Sequence, residues 1–226
     1  MMLHVPQVLS PDELAAVRRI IAAGPWVDGN ETSGFQAALA KDNLQLAQAS
    51  AAEREAGAIV VAALRRSPAF QSAALPAALH PPMFNRYGPG KKFDNHVDNA
   101  IRFAPGGERI RADLSATLFL TDPDDYEGGE LTVEDTFGTQ EVKLPAGDLI
   151  LYPSSSLHRV EPIVRGERTS VILWIQSLVR DDARRTLLFD MDAGIQSAGQ
   201  RLGQADPAVV TLTGAYHNLL RMWAEL

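Results

Sequence analysis

The segment from Pro82 to Arg180 constrains the fold more than any other part of the sequence. Short stretches of β-branched, aromatic and leucine residues follow one another there, and clusters of Gly, Pro and Asp separate them. This pattern is typical of strands joined by tight connections. Because no helical stretch interrupts it, we expect an antiparallel sandwich, jelly roll or barrel rather than a parallel α/β sheet. The predicted strands cover residues 83–87, 94–98, 112–120, 130–134, 139–143, 148–152, 158–163 and 168–178.

Helical patterns flank this segment on both sides. Capping-box sequences at residues 10–13 and 50–53 predict the starts of two N-terminal helices, with an irregular loop over residues 25–36 between them. After Arg180 the sequence returns to a helical pattern, and the last helix carries an apolar stripe. We expect this stripe to pack against the β domain; it consists of Val209, Leu212, Tyr216, Leu219, Leu220 and Trp223.

Composition excludes several classes of function. The net charge of -7 argues against a nucleic-acid partner, because no basic stripe is available to neutralise phosphates. The chain has no cysteine, so any bound metal must use His, Asp or Glu as ligands. The N-terminus lacks a basic region followed by an apolar run, and no window approaches the roughly 20 apolar residues that span a bilayer. We therefore expect no membrane partner and a cytoplasmic location.

A metal site is indicated by His96 and Asp98, which fall in a predicted strand. Residues i and i+2 project from the same face of a strand, so this imidazole and carboxylate can converge on one point. Among the five histidines, His158 is the best third ligand because it opens a predicted strand, and a jelly roll brings distant strands side by side. Two histidines and one carboxylate form the facial triad that suits non-haem Fe(II). The other histidines are expected to be structural or solvated: His4, His80 and His217.

Arg168 suggests what else this site binds. An oxygenase that uses 2-oxoglutarate needs a cation to pair with the 5-carboxylate of that cosubstrate. Arg168 follows His158 by ten residues. A five-residue loop over residues 163–167 would set His158 opposite Ile172, about 13 Å along the strand from Arg168. The alternatives are that Arg168 is a solvated arginine at a turn, or that Arg165 supplies the cation.

With these residues identified, the segment 83–177 resembles the prolyl 4-hydroxylase and lysyl hydroxylase-like superfamily of Fe(II)/2-oxoglutarate dioxygenases. The family pattern Y-x-x-G-x-x-[YF]-x-x-H-x-D is matched by "YGPGKKFDNHVD", and the strand and Gly-Gly-Glu turn that follow are matched by "TLFLTDPDDYEGGEL". The closing block is matched by "LPAGDLILYPSSSLHRVEPIVRGERTSVILWI". Over the whole chain, the sequence resembles most the bacterial PKHD-type hydroxylases, a group that includes proteins associated with iron uptake. That closer likeness rests on "KDNLQL", "FNRYGPG", "HVDNAIR" and "YHNLLRMWAEL".

The resemblance implies a mainly β protein with flanking helices, whose core is a double-stranded β-helix, that is, a cupin-like jelly roll. It implies a dioxygenase domain over residues 1–180. N-terminal helices would occupy residues 1–80 of that domain, and the jelly-roll core would occupy residues 81–180. Residues 181–226 would then form a C-terminal helical extension.

The resemblance also implies a ligand set. His96, Asp98 and His158 would bind Fe(II), and Arg168 would bind the 5-carboxylate of 2-oxoglutarate. The oxidant would be O2, which turns the cosubstrate into succinate and CO2, and ascorbate is a candidate auxiliary cofactor.

Three further residues are expected in the cosubstrate pocket. Tyr87 occupies the position of a tyrosine that contacts the cosubstrate in relatives, although it could instead be an aromatic residue packing at a strand end. Asn85 shares its strand face. Where several prolyl hydroxylases have a tyrosine, this chain has Phe119, which cannot donate a hydrogen bond. Thr117, on the same face, could supply a hydroxyl instead.

These expectations favour a dioxygenase that hydroxylates an unidentified substrate, either a small molecule or a peptidyl side chain. Two rivals are open: a non-redox cupin-type metal enzyme, and a catalytically silent iron or small-molecule sensor linked to iron uptake. Arg168 argues against the non-redox cupin, because such an enzyme has no need of a cation ten residues after its last ligand. The C-terminal helices could cover the pocket mouth or form a homodimer contact.

Overall fold

Two antiparallel sheets dominate the part of the chain that the computed structural model describes, namely residues 1–32, 40–135 and 138–226. Within these residues the larger sheet contains eight strands: β1 (Leu3–Val5), β2 (Trp26–Asp28), β4 (Leu44–Leu46), β5 (Pro76–Leu79), β6 (Met83–Tyr87), β10 (Leu114–Phe119), β14 (Leu149–Pro153) and β17 (Arg168–Ser177). Their order is β1-β14-β10-β17-β6-β4-β2, and β5 pairs with β17.

The smaller sheet has the order β13-β12-β15-β7-β3. Its strands are β3 (Lys41–Asp42), β7 (Lys92–His96), β12 (Leu131–Asp135), β13 (Gly138–Val142) and β15 (Leu157–Val160). Two short hairpin-like pairs complete the β structure: β8 (Ile101–Phe103) with β9 (Arg109–Arg111), and β11 (Glu127–Gly128) with β16 (Ile163–Arg165).

The helices lie before and after these sheets in the chain. They are α1 (Pro11–Ala22), α2 (Ala51–Arg66), α3 (Pro68–Ala74), α4 (Asp182–Leu202) and α5 (Pro207–Trp223), with 3-10 turns at Gly29–Thr32 and Pro123–Asp125. The predicted capping box at Ser10 is confirmed, because Ser10 and Glu13 bond reciprocally. Ser50 also caps its helix, but the Glu53 carboxylate accepts from Ala49 instead of Ser50. Of the predicted loop, residues 26–32 form β2 and a 3-10 turn, and residues 33–36 lie outside the described part.

Strand β10 shows how alternation divides the core. Leu114, Ala116 and Leu118 belong to a buried cluster shared with α1, α2 and α3. Phe119 points the other way and joins a second cluster that includes Leu131 of the smaller sheet. Because successive strand residues face opposite sides, one face of the larger sheet packs on helices and the other faces the smaller sheet. This arrangement confirms the predicted jelly-roll architecture.

One predicted strand pairing is wrong. We expected His158 to lie opposite Ile172, but β15 pairs with β12 and β7, whereas β17 pairs with β10 and β6. His158 lies opposite His96, and Ile172 lies opposite Thr117. The chain crosses from the smaller to the larger sheet after β15, so strands that are consecutive in sequence are not neighbours here. The expected loop over residues 163–167 contains β16, which pairs with β11.

The C-terminal helices pack around a separate apolar cluster. Leu188 of α4 is buried with Leu75 and Val179, which lie at the edge of the β domain. The residues packed against this cluster are Leu178, Tyr216, Leu219, Leu220 and Trp223. Most of the predicted stripe therefore faces α4 and the end of the β domain, whereas Leu212 is 44% exposed. Over the described ranges, no helix is both long and apolar enough to cross a membrane.

Candidate metal and cosubstrate site

Two histidines meet because their strands are neighbours in the smaller sheet. His96 ends β7 and lies opposite His158 of β15, with the ring centroids 4.2 Å apart. Asp98 lies two residues beyond β7 rather than inside the predicted strand, yet its Oδ2 is 3.8 Å from His158 Nε2. One ligand atom from each of the three side chains lies within 4.8 Å of the others. The structure thus brings together the three residues that the sequence predicts as ligands.

Backbone carbonyls orient both imidazoles. His96 Nδ1 lies 2.8 Å from the carbonyl oxygen of Asp94, and His158 Nδ1 lies 3.0 Å from that of Ser156. Because a carbonyl can only accept, each Nδ1 carries the proton and donates it. Each Nε2 therefore keeps its lone pair for a metal ion.

A serine hydroxyl orients the carboxylate. Ser115 Oγ donates to Asp98 Oδ2 at 2.6 Å, and it lies 2.8 Å from the hydroxyl of Ser154. Ser115 is fully buried in β10 of the facing sheet. The larger sheet therefore holds in place a carboxylate that follows a strand of the smaller sheet.

The donor set fits Fe(II). Burial and, secondly, the nearby His158 lower the pKa of His96 to about 4, so this imidazole is neutral at physiological pH. A neutral imidazole is the form that binds a metal. Two imidazole nitrogens and one carboxylate oxygen on one side of a pocket match the facial triad of non-haem iron oxygenases.

Arg168 is a buried cation in the same pocket. It opens β17 opposite Tyr87 and is 1% exposed. Its Nη1 donates to Ser170 Oγ at 2.8 Å, whereas Nε and Nη2 are buried without a hydrogen-bond partner. Its guanidinium lies 5.6 Å from the Tyr87 ring centroid and 5.2 Å from that of Phe119. Since a buried, unpaired charge is costly, this guanidinium fits a site for the carboxylate of a ligand. The alternative of a solvated arginine is wrong.

The Gly-Gly-Glu turn makes room for Arg168. Gly129 has φ +68°, and a Cβ there would lie 2.3 Å from Ile163 Cδ1 and 3.2 Å from Arg168 Cδ. Tyr126, just before this turn, is buried, and burial raises its pKa while the charge of Arg168 lowers it. The Tyr126 hydroxyl has no hydrogen bond of ordinary geometry. Sequence analysis missed Tyr126, although its place beside the family's glycine turn was a usable signal.

The three predicted cosubstrate residues all line this pocket. Tyr87 and Asn85 share the inner face of β6, and Thr117 projects from β10. Within the described ranges, Asn85 Oδ1 and Thr117 Oγ1 are buried and form no hydrogen bond of ordinary geometry, although Thr117 lies beside the Tyr152 hydroxyl. Burial raises the pKa of Tyr87 to about 12, which keeps its hydroxyl protonated. Their contact with a cosubstrate stays a prediction.

Several lining residues were not predicted. Tyr152 is fully buried, and its ring centroid lies 5.2 Å from that of His158. Strand alternation was the available signal, since Tyr152 shares a face with Ile150, which packs between the sheets. The remaining unpredicted polar or aromatic residues in the lining are Lys41, Phe93, Asn99, Arg102 and Trp174.

The three other histidines lie outside the metal cluster found among the described residues. His4 Nε2 is 2.7 Å from Asp148 Oδ2. His80 is buried against Trp174 with the ring centroids 5.4 Å apart. His217 is exposed on α5.

Comparison with known sequences agrees with this geometry. Residues 82–176 match the model of the 2OG-Fe(II) oxygenase superfamily, and residues 182–225 match that of the PKHD-type hydroxylase C-terminal domain. A PKHD-type hydroxylase of Phenylobacterium zucineum is 62% identical, and one of Methylobacterium nodulans is 58% identical. Each alignment covers 100% of both chains.

Solved structures share the fold. A Pseudomonas putida prolyl-4-hydroxylase superposes with a TM-score of 0.52 at 23% identity, over 77% of this chain and 92% of that one. A prolyl hydroxylase from Trichoplax adhaerens gives 0.55 at 15% identity, over 82% and 86%. The jelly roll, the triad and the matched domain together define a 2OG-Fe(II) oxygenase domain. With its full-length relatives, the chain belongs to the PKHD-type hydroxylase family.

Proposed function

We propose that this protein is a non-haem Fe(II)- and 2-oxoglutarate-dependent dioxygenase that hydroxylates its substrate. The observation that carries the proposal is one pocket with two features. The triad of His96, Asp98 and His158 lines it, and so does Arg168, a buried cation with unpaired donors. A non-redox cupin gains nothing from such a cation, whereas a diacid cosubstrate pairs with it.

The triad would hold the iron. Bound Fe(II) and 2-oxoglutarate supply the oxidising chemistry, in which O2 converts the cosubstrate to succinate and CO2 and one oxygen atom enters a substrate C–H bond. The protein aims both imidazoles through their Nδ1–H bonds to the carbonyl oxygens of Asp94 and Ser156. It leaves the other coordination positions for ligands.

Arg168 would hold the 5-carboxylate of 2-oxoglutarate, and hydroxyl groups around it would complete the carboxylate site. Tyr87 stays a donor at physiological pH because burial raises its pKa to about 12. Thr117 and Tyr126 each bring a buried hydroxyl that forms no hydrogen bond of ordinary geometry among the described residues. The charge of Arg168 acts on Tyr126 and lowers its pKa. Tyr126 is therefore a second candidate, beside Thr117, for the hydroxyl that would donate to the cosubstrate carboxylate in place of Phe119.

An anaerobic titration followed by oxygen uptake tests this function. With Fe(II) bound, 2-oxoglutarate should produce a metal-to-cosubstrate charge-transfer band, and admission of O2 should then consume both oxygen and cosubstrate. A silent sensor would give the band without oxygen consumption. A non-redox cupin would give neither, and either result would contradict the proposal.

Three further proposals depend on family resemblance alone: ascorbate as an auxiliary reductant, a link to iron homeostasis and a cytoplasmic location. We propose ascorbate as the agent that keeps iron reduced over repeated turnovers. Its omission should shorten the linear phase of succinate release without changing the initial rate. An unchanged time course would contradict the proposal that ascorbate keeps the iron reduced.

A further inference from the structure

The pocket holds a second arginine that the proposed reaction does not use. Arg102 lies in β8, at the end of the "HVDNAIR" motif, and lines the same pocket as the triad. Its guanidinium carbon is 3.8 Å from the ring centroid of Trp174, and its Nη2 is 3.6 Å from Met83 Sδ. Stacking on Trp174 fixes the plane of the guanidinium and leaves its N–H edge available.

Within the part of the chain that the structure describes, Arg102 has no carboxylate partner at contact distance. Among the described residues, no acidic oxygen lies within 4 Å of its guanidinium, and its one hydrogen bond is to the sulfur of Met83. The charge of Asp98 acts on it from farther away, and burial lowers its pKa. Asp98 is also the only carboxylate among the described residues that line the pocket, and the metal would use it.

Lys41 adds a second cation to this side of the pocket. It is 8% exposed, and its Nζ donates to the Gly29 carbonyl at 2.9 Å and to Gln45 Oε1 at 3.0 Å. Burial and, secondly, the charge of Arg102 lower its pKa to about 8, so it is still largely charged at neutral pH. The structure therefore places two mutually repelling cations in one pocket of a chain whose net charge is -7.

The charges of the proposed cosubstrate complex leave these cations uncompensated. Fe(II) and Arg168 carry three positive charges, which match the single negative charge of Asp98 and the two of 2-oxoglutarate. Arg102 and Lys41 remain, and of these the charge of Asp28 acts on Lys41 but not on Arg102. A partly buried charge is favourable only with a partner, and an arginine fork is suited to an oxyanion.

We propose that the substrate carries an oxyanion group, a carboxylate or a phosphate, which Arg102 binds through its guanidinium edge. Lys41 strengthens the attraction without a required direct contact. The apolar part of the substrate would pack on nearby lining residues such as Val97 and Ile172. This inference rests on the proposed function, because the charge count assumes bound iron and 2-oxoglutarate.

Three aromatic probes test the proposal on the anaerobic Fe(II)·2-oxoglutarate protein: benzoate, phenyl phosphate and uncharged benzamide. Their affinities are measured by calorimetry. We expect benzoate or phenyl phosphate to bind at least tenfold more tightly than benzamide, and the tighter of the two identifies the preferred oxyanion. Arg102→Gln should reduce this preference to less than twofold. Arg102→Lys, which keeps the charge but loses the fork, should retain part of it.

Arg109→Gln is the matched control, because Arg109 is an exposed arginine on β9, the partner strand of β8. It should bind all three probes as the wild type does. Equal affinity for the three probes in the wild type, or an unchanged preference in Arg102→Gln, would overturn the proposal. It would also be overturned if Arg102→Gln weakened 2-oxoglutarate binding as strongly as probe binding, since Arg102 would then serve the cosubstrate.

The charge-transfer band keeps the two hypotheses apart. If the band forms but anions show no preference, the oxyanion proposal fails and the dioxygenase proposal stands. If anions bind preferentially but no band forms, the dioxygenase proposal fails together with the charge count, and only a loss of that preference in Arg102→Gln would then assign the anion to Arg102 rather than to Arg168.

Discussion

Ser115 donates a hydrogen bond of 2.6 Å to Asp98, which ties the larger sheet to the proposed metal ligand that follows β7 of the smaller one. The bonded oxygen, Oδ2, is also the one that lies 3.8 Å from His158 Nε2. Because Asp98 lies beyond the end of β7, no strand pairing fixes its side chain, and Ser115 has that role.

Ser115→Ala should lower Fe(II) affinity by about 10- to 100-fold, as the loss of a ligand-orienting partner does in other metal sites. Competition with a chelator measures this change. Ser154→Ala is the comparison variant, since Ser154 contacts Ser115 rather than Asp98, and its effect should be smaller. Equal iron affinity in wild type and Ser115→Ala would show that Asp98 needs no such support.

Arg168→Met should separate cosubstrate binding from stability. Loss of the cation should weaken 2-oxoglutarate binding by about 30-fold or more, in line with about 2–5 kcal/mol for a buried charge pair. The melting temperature of the free protein should be unchanged or higher, because the variant removes a buried guanidinium with two unpaired nitrogens. Calorimetry with 2-oxoglutarate and thermal unfolding measure the two effects. A destabilised variant with normal cosubstrate affinity would mean that Arg168 is structural.

Thr117→Val tests the hydroxyl near the cosubstrate while keeping the shape of the side chain. If Thr117 Oγ1 donates to 2-oxoglutarate, the affinity should fall by roughly three- to tenfold, the usual loss for one hydrogen bond of about 0.5–1.5 kcal/mol. Thr117→Ser should retain most of the affinity. If valine binds 2-oxoglutarate as well as threonine does, Tyr126 becomes the better candidate.

The lowered pKa of Lys41 predicts that the free energy of unfolding depends on pH. Its pKa is about 8 in the fold and 10.5 ordinarily, so between these values the unfolded chain binds more protons than the folded one. The contribution of Lys41 to the free energy of unfolding therefore rises with pH across this window. Denaturant unfolding of wild type and Lys41→Met should show their difference shifting in favour of the wild type from about pH 8 to 10.5, and little change between pH 6 and 7. A difference that is constant up to pH 10.5 would contradict the lowered pKa.

Residue type and spacing made the proposed ligands predictable, whereas the pairing of their strands could not be predicted. Residue types and local spacing indicated His96, Asp98, His158 and Arg168, because each of these side chains carries chemistry that few residues can supply. The contact between His158 and His96 depends on which sheet each strand joins. That choice is made by packing between distant segments, so the local hairpin argument placed His158 in the wrong pair.

The residues that sequence analysis missed have ordinary side chains in unusual places. Arg102, Tyr126 and Trp174 resemble surface or core residues when only the sequence is considered. Arg102 and Trp174 line the pocket once both sheets and β8 come together, and Tyr126 lies near Arg168. Burial without a polar partner is a property of the folded chain, and neither composition nor periodicity reveals it.

The most direct test of the central claim is Fe(II)-dependent release of succinate from 2-oxoglutarate by the wild type and by Asp98→Ala. The account predicts release by the wild type and loss of it in Asp98→Ala. The matched control Asp190→Ala, which removes an exposed carboxylate on α4, should retain the wild-type rate. Succinate release that survives in Asp98→Ala at the wild-type rate would contradict the assignment of the triad.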